Sequence, residues 1–204
     1  SVADALMSGL ALFSLKDPSL LAFESRRGDK NIKNIYHVSA LPSDTNMRTI
    51  LDEVEPSTLY PLFKNILAKL QRGKGLEDMV FWNGHYLISN DGTGYFSSEK
   101  VHCAACLIKN HQNGRVEYHH GFLGSVIVHP DRHEVIPLCP EPINNIDGAT
   151  KNDCERNASK RLLARFRREH PHMKAIIVED ALASNAPHLR ELTRHELLFI
   201  IGIK

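Results

Sequence analysis

The sequence predicts an α/β chain: a mixed sheet flanked by helices, preceded by an N-terminal helical module. Three observations carry this. Residues 1–75 place apolar side chains at helical spacing and contain no strand-like run. After about residue 78 the texture changes to β-branched and aromatic runs between turn signals, in the order β-β-β-α-β-α-β, which implies a mixed sheet. Two apolar runs end in an aspartate followed by small residues, at Asp91 and at Asp180. Such an end can put a carboxylate at the lip of a sheet. Two such strands side by side make a divalent-cation site, and carboxylate-held Mg²⁺ can run phosphoryl transfer.

Residues 2–24 read as helical and mostly buried, with Asp17 and Pro18 as cap and first position of a restart. Residues 25–33 read as a polar turn. Residues 42–54 read as a capped helix with Met47, Ile50, Leu51 and Val54 on one face, broken by Pro56. Residues 59–70 form a third amphipathic helix, closed by the glycines at 73 and 75. Strands follow at 80–90, 116–129 and 134–138, with an Asn113-Gly114 turn of the hairpin type before the second. A helix spans 150–169 with Thr150 as cap. The wholly apolar run 174–180 is a strand covered on both faces. A helix at 184–195 and a buried strand at 197–203 complete the order.

The 204 residues suit one domain, or one domain plus a helical appendage. A hydrophobic content of 42% and a charged content of 24% exclude a disordered chain. The net charge of +1 advertises no global field for nucleic acid, although local patches matter more than totals. No apolar run approaches the roughly 20 residues that span a bilayer. The four cysteines, Cys103, Cys106, Cys139 and Cys154, are too few for a disulfide scaffold, and without a signal peptide they read as reduced thiols in a cytoplasm.

The residues alone leave alternatives open. Asp91 before Gly92 is a turn former or a metal ligand, and Asp180 is a helix cap or a metal ligand. Cys103 and Cys106 have a Cys-x₂-Cys spacing that suits Zn²⁺, with His119, His120, Cys139 or Cys154 as further ligands; the alternative is two buried thiols in a hairpin. His119 and His120 face opposite sides of their strand, so at most one serves a given site. Lys151, Arg156, Lys160, Arg161, Arg165, Arg167, Arg168 and Lys174 form a basic stretch against Asp153, Glu155 and Glu169. Lys151, Arg156, Lys160 and Arg167 are the phosphate-contact candidates, and a solvated helix face is the alternative. Glu155 and Glu191 read as helix-surface acids, and Glu179 as pointing away from Asp180.

Asp91-Gly92-Thr93-Gly94-Tyr95-Phe96-Ser97-Ser98 and Val178-Glu179-Asp180-Ala181-Leu182-Ala183-Ser184-Asn185 resemble the first two acidic motifs of insertion-sequence DDE transposases. Residues 197–204 (LLFIIGIK) resemble the strand after the second motif, and residues 7–21, 42–45 and 147–155 also resemble that family. The resemblance implies an RNase H-like catalytic domain at 76–204, truncated before the third acid, behind a helical module at 1–75 that binds terminal-repeat DNA or acts as a cap. It implies metal-dependent cleavage and transfer of double-stranded DNA by a homodimer in a bacterial cytoplasm, at the nucleoid when acting. Asp91 and Asp180 would hold Mg²⁺ or Mn²⁺, with Thr93 and Ser184 supporting them. The family's glutamate lies on a helix beyond the last strand, so this chain is expected to be inactive alone. The rivals are a non-catalytic DNA-binding remnant and a zinc-stabilised structural module.

Overall fold

Residues 1–145 and 152–203 are described by the computed structural model. They form two compact units, Ser1–Tyr60 and Pro61–Lys204.

In the first unit, helix α1 (Val2–Ser14) opens on a capping box: the Ser1 hydroxyl accepts from the Asp4 amide, and the Asp4 carboxylate accepts from the Ser1 amino group and hydroxyl. Its near-continuous apolar sequence does not bury it all round. Ala5, Ser8, Ala11 and Leu12 are buried, while Leu10 and Phe13 are exposed. A helix resting on one side of a small unit can cover only one stripe. Helix α2 (Leu20–Glu24) is capped by Ser19. Asp17, expected as the cap, instead takes two hydrogen bonds from Arg26, at 2.8 and 3.0 Å. The segment read as a turn contains a short helix, α3 (Lys30–Ile35), started by the Asp29 side chain. Helix α4 (Asp44–Asp52) is capped by Ser43 and buries Met47, with Ile50, Leu51 and Val54 half-buried as their spacing predicts. Ala11, Leu12, Phe23, Ile32, Val38 and Leu41 make this unit's core.

Helix α5 (Tyr60–Arg72), which follows a 3₁₀ turn at Pro56–Leu59, places Leu67 in the core of the second unit. That unit is built on eight strands: β1 (Val80–Trp82), β2 (His85–Ser98), β3 (Leu107–Asn110), β4 (Val116–Val128), β5 (Ile136–Pro137), β6 (Glu141–Ile143), β7 (Ala175–Glu179) and β8 (Leu198–Ile201). The main order is β3-β4-β2-β7-β8, with β1 on β2 and both β5 and β6 on β4. β2 runs antiparallel to β4 and parallel to β7, and β7 runs parallel to β8. β1 turns into β2 at Asn83-Gly84, whose φ angles of 48° and 78° are those a tight hairpin turn needs. Ile88, Ile127 and Ile177 from the sheet meet Leu163 of α6 (Glu155–Glu169) and Leu192 of α7 (Ala186–Arg194).

Two expectations fail here. The helix read from 150 begins at Glu155, behind Cys154; the expected cap, Thr150, lies outside the described residues. The last strand, read as buried, is the sheet's outer strand among the described residues, and Leu198, Phe199 and Ile200 are exposed. Apolar composition alone does not distinguish an inner strand from an outer one.

The helix–sheet seam holds a buried ionic cluster. Glu141 receives Arg161 Nε at 2.6 Å and Arg165 Nη1 at 2.5 Å. Arg165 also donates to the carbonyls of Cys139 and Pro140, and Arg161 to Asp153 at 2.7 Å. Burial works against the Arg161 charge, but the Asp153 and Glu141 carboxylates outweigh it and hold the guanidinium above its ordinary value. Beside this cluster, burial pushes the Cys139 thiol up to about 11. A thiol whose pKa is raised on folding stabilises the fold in full below its unfolded value, 9.0, and that share is lost as pH rises to about 11. Urea midpoints of the wild type should therefore fall more steeply across that window than those of Cys139→Ala. Parallel slopes would contradict this.

Candidate functional site

Asp91 stands in the middle of β2, not at its end, since β2 continues to Ser98. β7 does stop, at Glu179. Their parallel register pairs Tyr86 with Ala175 and Ser89 with Val178. Carried two residues further, it sets Asp91 alongside Asp180. Asp91 thus gains its open side because its neighbour ends, not because its own strand does.

Both aspartates line one cleft of about 630 Å³, together with Asn90, Thr93, His119, Asp153, Glu155, Arg156, Ser159, Glu179 and His188. Asp180 also accepts from the Leu182 amide at 2.8 Å and so caps the 3₁₀ turn Ala181–Ala183. Capping and cleft-lining coexist there, because a carboxylate has two oxygens. Of the two expected supporting hydroxyls, Thr93 lines the cleft and Ser184 does not.

Three features of the cleft escaped the sequence. Glu155, read as a surface acid, sits in the first turn of α6 with its carboxylate over Gly92; a side chain on residue 92 would collide with it. A glycine beside Asp91 was the available signal. Glu179 also lines the cleft, as a buried carboxylate. It accepts from Asn90 Nδ2 at 3.1 Å and meets His188 Nε2 at 2.5 Å. Finally, Asn90 Oδ1, Ser159 Oγ and His119 Nδ1 are buried and have no hydrogen-bond partner among the described residues. Native proteins rarely tolerate such atoms without a ligand or water.

The basic stretch divides by role. Arg156 is exposed and lines the cleft, and Lys160 is exposed. Arg167 donates to the carbonyls of His195, Pro171 and Met173 at 2.9, 3.2 and 3.2 Å, tying the end of α6 to two loops. Lys151 lies outside the described residues. Burial raises the Asp153 carboxyl, but hydrogen bonds from Arg161 and the Cys154 amide overcome this and hold it below its ordinary value. Cys103 and Cys106 do not line the cleft; they gather with His120 on the opposite face of β4 from His119, as alternation requires.

Carboxylates are the donors a hard divalent cation prefers, and Asp91 and Asp180 supply them at the cleft. Asn90, next to Asp91 on β2, faces the other side of the strand, as do Gly92 and the Glu155 carboxylate above it. Among the described residues, no three acids, histidines or cysteines of the cleft bring ligand atoms within 4.8 Å of one another. Mg²⁺ commonly takes one or two carboxylates and completes its shell with water or substrate oxygens, which this arrangement permits.

No protein-family model matches the chain, and no curated protein matches it. A solved structure described as "Crystal structure of a pre-cleavage Mos1 transpososome" aligns with 96% of this chain and 58% of its own, at 11% identity and a TM-score of 0.26. A likeness at that score carries no argument about fold or activity. The chain spans little more than half of the length of the protein it aligns with.

Proposed function

We propose that residues 76–204 carry an RNase H-like domain of the DDE transposase type, and that Asp91 and Asp180 hold a divalent cation for phosphoryl transfer on DNA. The observation that carries this reading is the register of β2 and β7, which brings the two aspartates together at one cleft. The order β3-β4-β2-β7-β8, with the first pairs antiparallel and the last parallel, supports the same reading. When bound, the cation would activate a hydroxyl nucleophile and neutralise charge on the transferred phosphoryl group. Asp91 and Asp180 bind it, and Glu155 adds a third negative charge to the wall. Arg156 and Lys160 lie on the cleft side and exposed face of α6, where they attract the phosphate backbone. The partner is double-stranded DNA, engaged by a homodimer.

Calorimetric titration with Mn²⁺ tests this. Wild-type protein is expected to bind, Asp91→Ala and Asp180→Ala to lose binding, and Glu155→Gln to weaken it less than either. Absence of any Mn²⁺ binding sensitive to Asp91 would overturn the metal assignment. It would favour a second reading, a DNA-binding domain without chemistry, in which the exposed Arg156 and Lys160 contact phosphates.

A further inference from the structure

We propose that Cys103, Cys106 and His120 form a second metal centre, separate from the acidic cleft, that binds a thiolate-preferring divalent cation, Zn²⁺ foremost. Their ligand atoms are the three-donor cluster found among the described residues. Cys103 Sγ and Cys106 Sγ are 3.8 Å apart, and His120 Nε2 lies 3.3 Å from the first and 3.2 Å from the second. A disulfide would need sulfurs about 2.05 Å apart. A tetrahedral ion with Zn–S near 2.3 Å and Zn–N near 2.0 Å needs S···S edges of about 3.8 Å and S···N edges of about 3.5 Å. The sulfur edge matches this, and the two nitrogen edges fall within a few tenths of an ångström.

The surroundings also suit a ligand set. The Cys103 amide donates to Cys106 Sγ at 3.3 Å, and the Cys106 amide to the Cys103 carbonyl at 3.2 Å, so the two-residue spacer closes into a tight turn. His120 Nδ1 faces Asn144 Oδ1 at 3.4 Å. An N–H held there leaves the Nε2 lone pair aimed at the sulfurs, which is how outer partners fix a ligating imidazole. Tyr95 stacks on the His120 ring and restrains its rotation. The neighbouring His102 is turned away onto Tyr118 and is not a donor. One tetrahedral corner is left for water or a further ligand.

The position gives the centre a structural purpose. It would pin the loop before β3 to β4, where the residue just before His120, His119, lines the cleft. Through Asn145, which donates to the Cys106 carbonyl and accepts from the Asp153 amide, the pinned loop also holds the approach to α6 and Glu155.

The test is metal analysis of the full chain, purified without chelator and with any affinity tag removed, followed by Co²⁺ titration of the stripped protein. About one zinc per chain is expected, with thiolate-to-cobalt charge-transfer absorption in the near ultraviolet. Cys103→Ser, Cys106→Ser and His120→Ala should each reduce zinc to background, while Cys139→Ser and Cys154→Ser should retain it. A folded, zinc-free wild type with no charge-transfer band on adding Co²⁺ would overturn the proposal, as would zinc that survives in the Cys103→Ser/Cys106→Ser double variant. The wild-type cobalt spectrum decides the question even if a variant fails to fold.

Discussion

Replacing Glu141 with alanine is expected to destabilise the second unit by about 3–5 kcal/mol, because it removes the carboxylate that pairs with the buried Arg165 guanidinium. Glu141 and Arg165 are 6% and 5% exposed, so water cannot take over the lost interaction. The Cys139 and Pro140 carbonyls would still accept from Arg165. The measurement is the urea midpoint by circular dichroism, with the slope checked for unchanged cooperativity. Arg161→Ala should lose much less, about 1 kcal/mol, since its side chain is 41% exposed. The double variant Glu141→Leu/Arg165→Met should recover most of the loss, because apolar residues of similar volume replace buried pairs at little or no cost. If Glu141→Ala loses only about 1 kcal/mol, the cluster behaves like a surface pair and the seam is held by its apolar contacts alone.

This cluster also shows where sequence reading stops. Periodicity located α4, α5 and β4, because those elements bury a face whose spacing is visible in a dozen residues, while the strand read at 80–90 is β1 and only the first part of β2. The Asn113-Gly114 turn was legible for the same local reason; its φ of 81° at Gly114 needs glycine whatever lies nearby. Asn83-Gly84 carried the same signal inside a run that was read as one strand. Helix α3 was lost because six polar-rich residues offer too short a period to register.

The site divides in the same way. Asp91 and Asp180 stood out because each follows an apolar run, a local feature. Glu155 over Gly92 did not, because that approach depends on α6 packing across residues sixty apart in sequence. Arg161, Arg165 and Arg167 read as members of one basic stretch. Their partners, Glu141 and the carbonyls of residues 171–195, arrive only with the fold. Alternation did predict that His119 and His120 serve opposite faces. It could not tell which of them would meet the cysteines.

His188→Ala is the second variant with a large expected effect, and its two readouts should move in opposite directions. Glu179 is buried, and His188 is its closest partner. Removing the imidazole takes away the shortest hydrogen bond to a buried carboxylate and leaves the one from Asn90, and stripping a buried acceptor of a partner typically loses about 1–3 kcal/mol. The same change frees a Glu179 carboxylate oxygen in the cleft wall, and a free carboxylate oxygen is a donor for a cation there. Mn²⁺ should therefore bind the variant more tightly than the wild type and raise its melting temperature by more, because a ligand that binds only the folded state stabilises it by mass action. Glu179→Gln provides the control. It keeps a hydrogen-bonding group towards Asn90 and His188, so its stability loss should be smaller, and by removing a carboxylate it should weaken Mn²⁺ binding. If His188→Ala loses stability and Mn²⁺ affinity together, the pair only shapes the cleft, and its charge does not act on the bound cation.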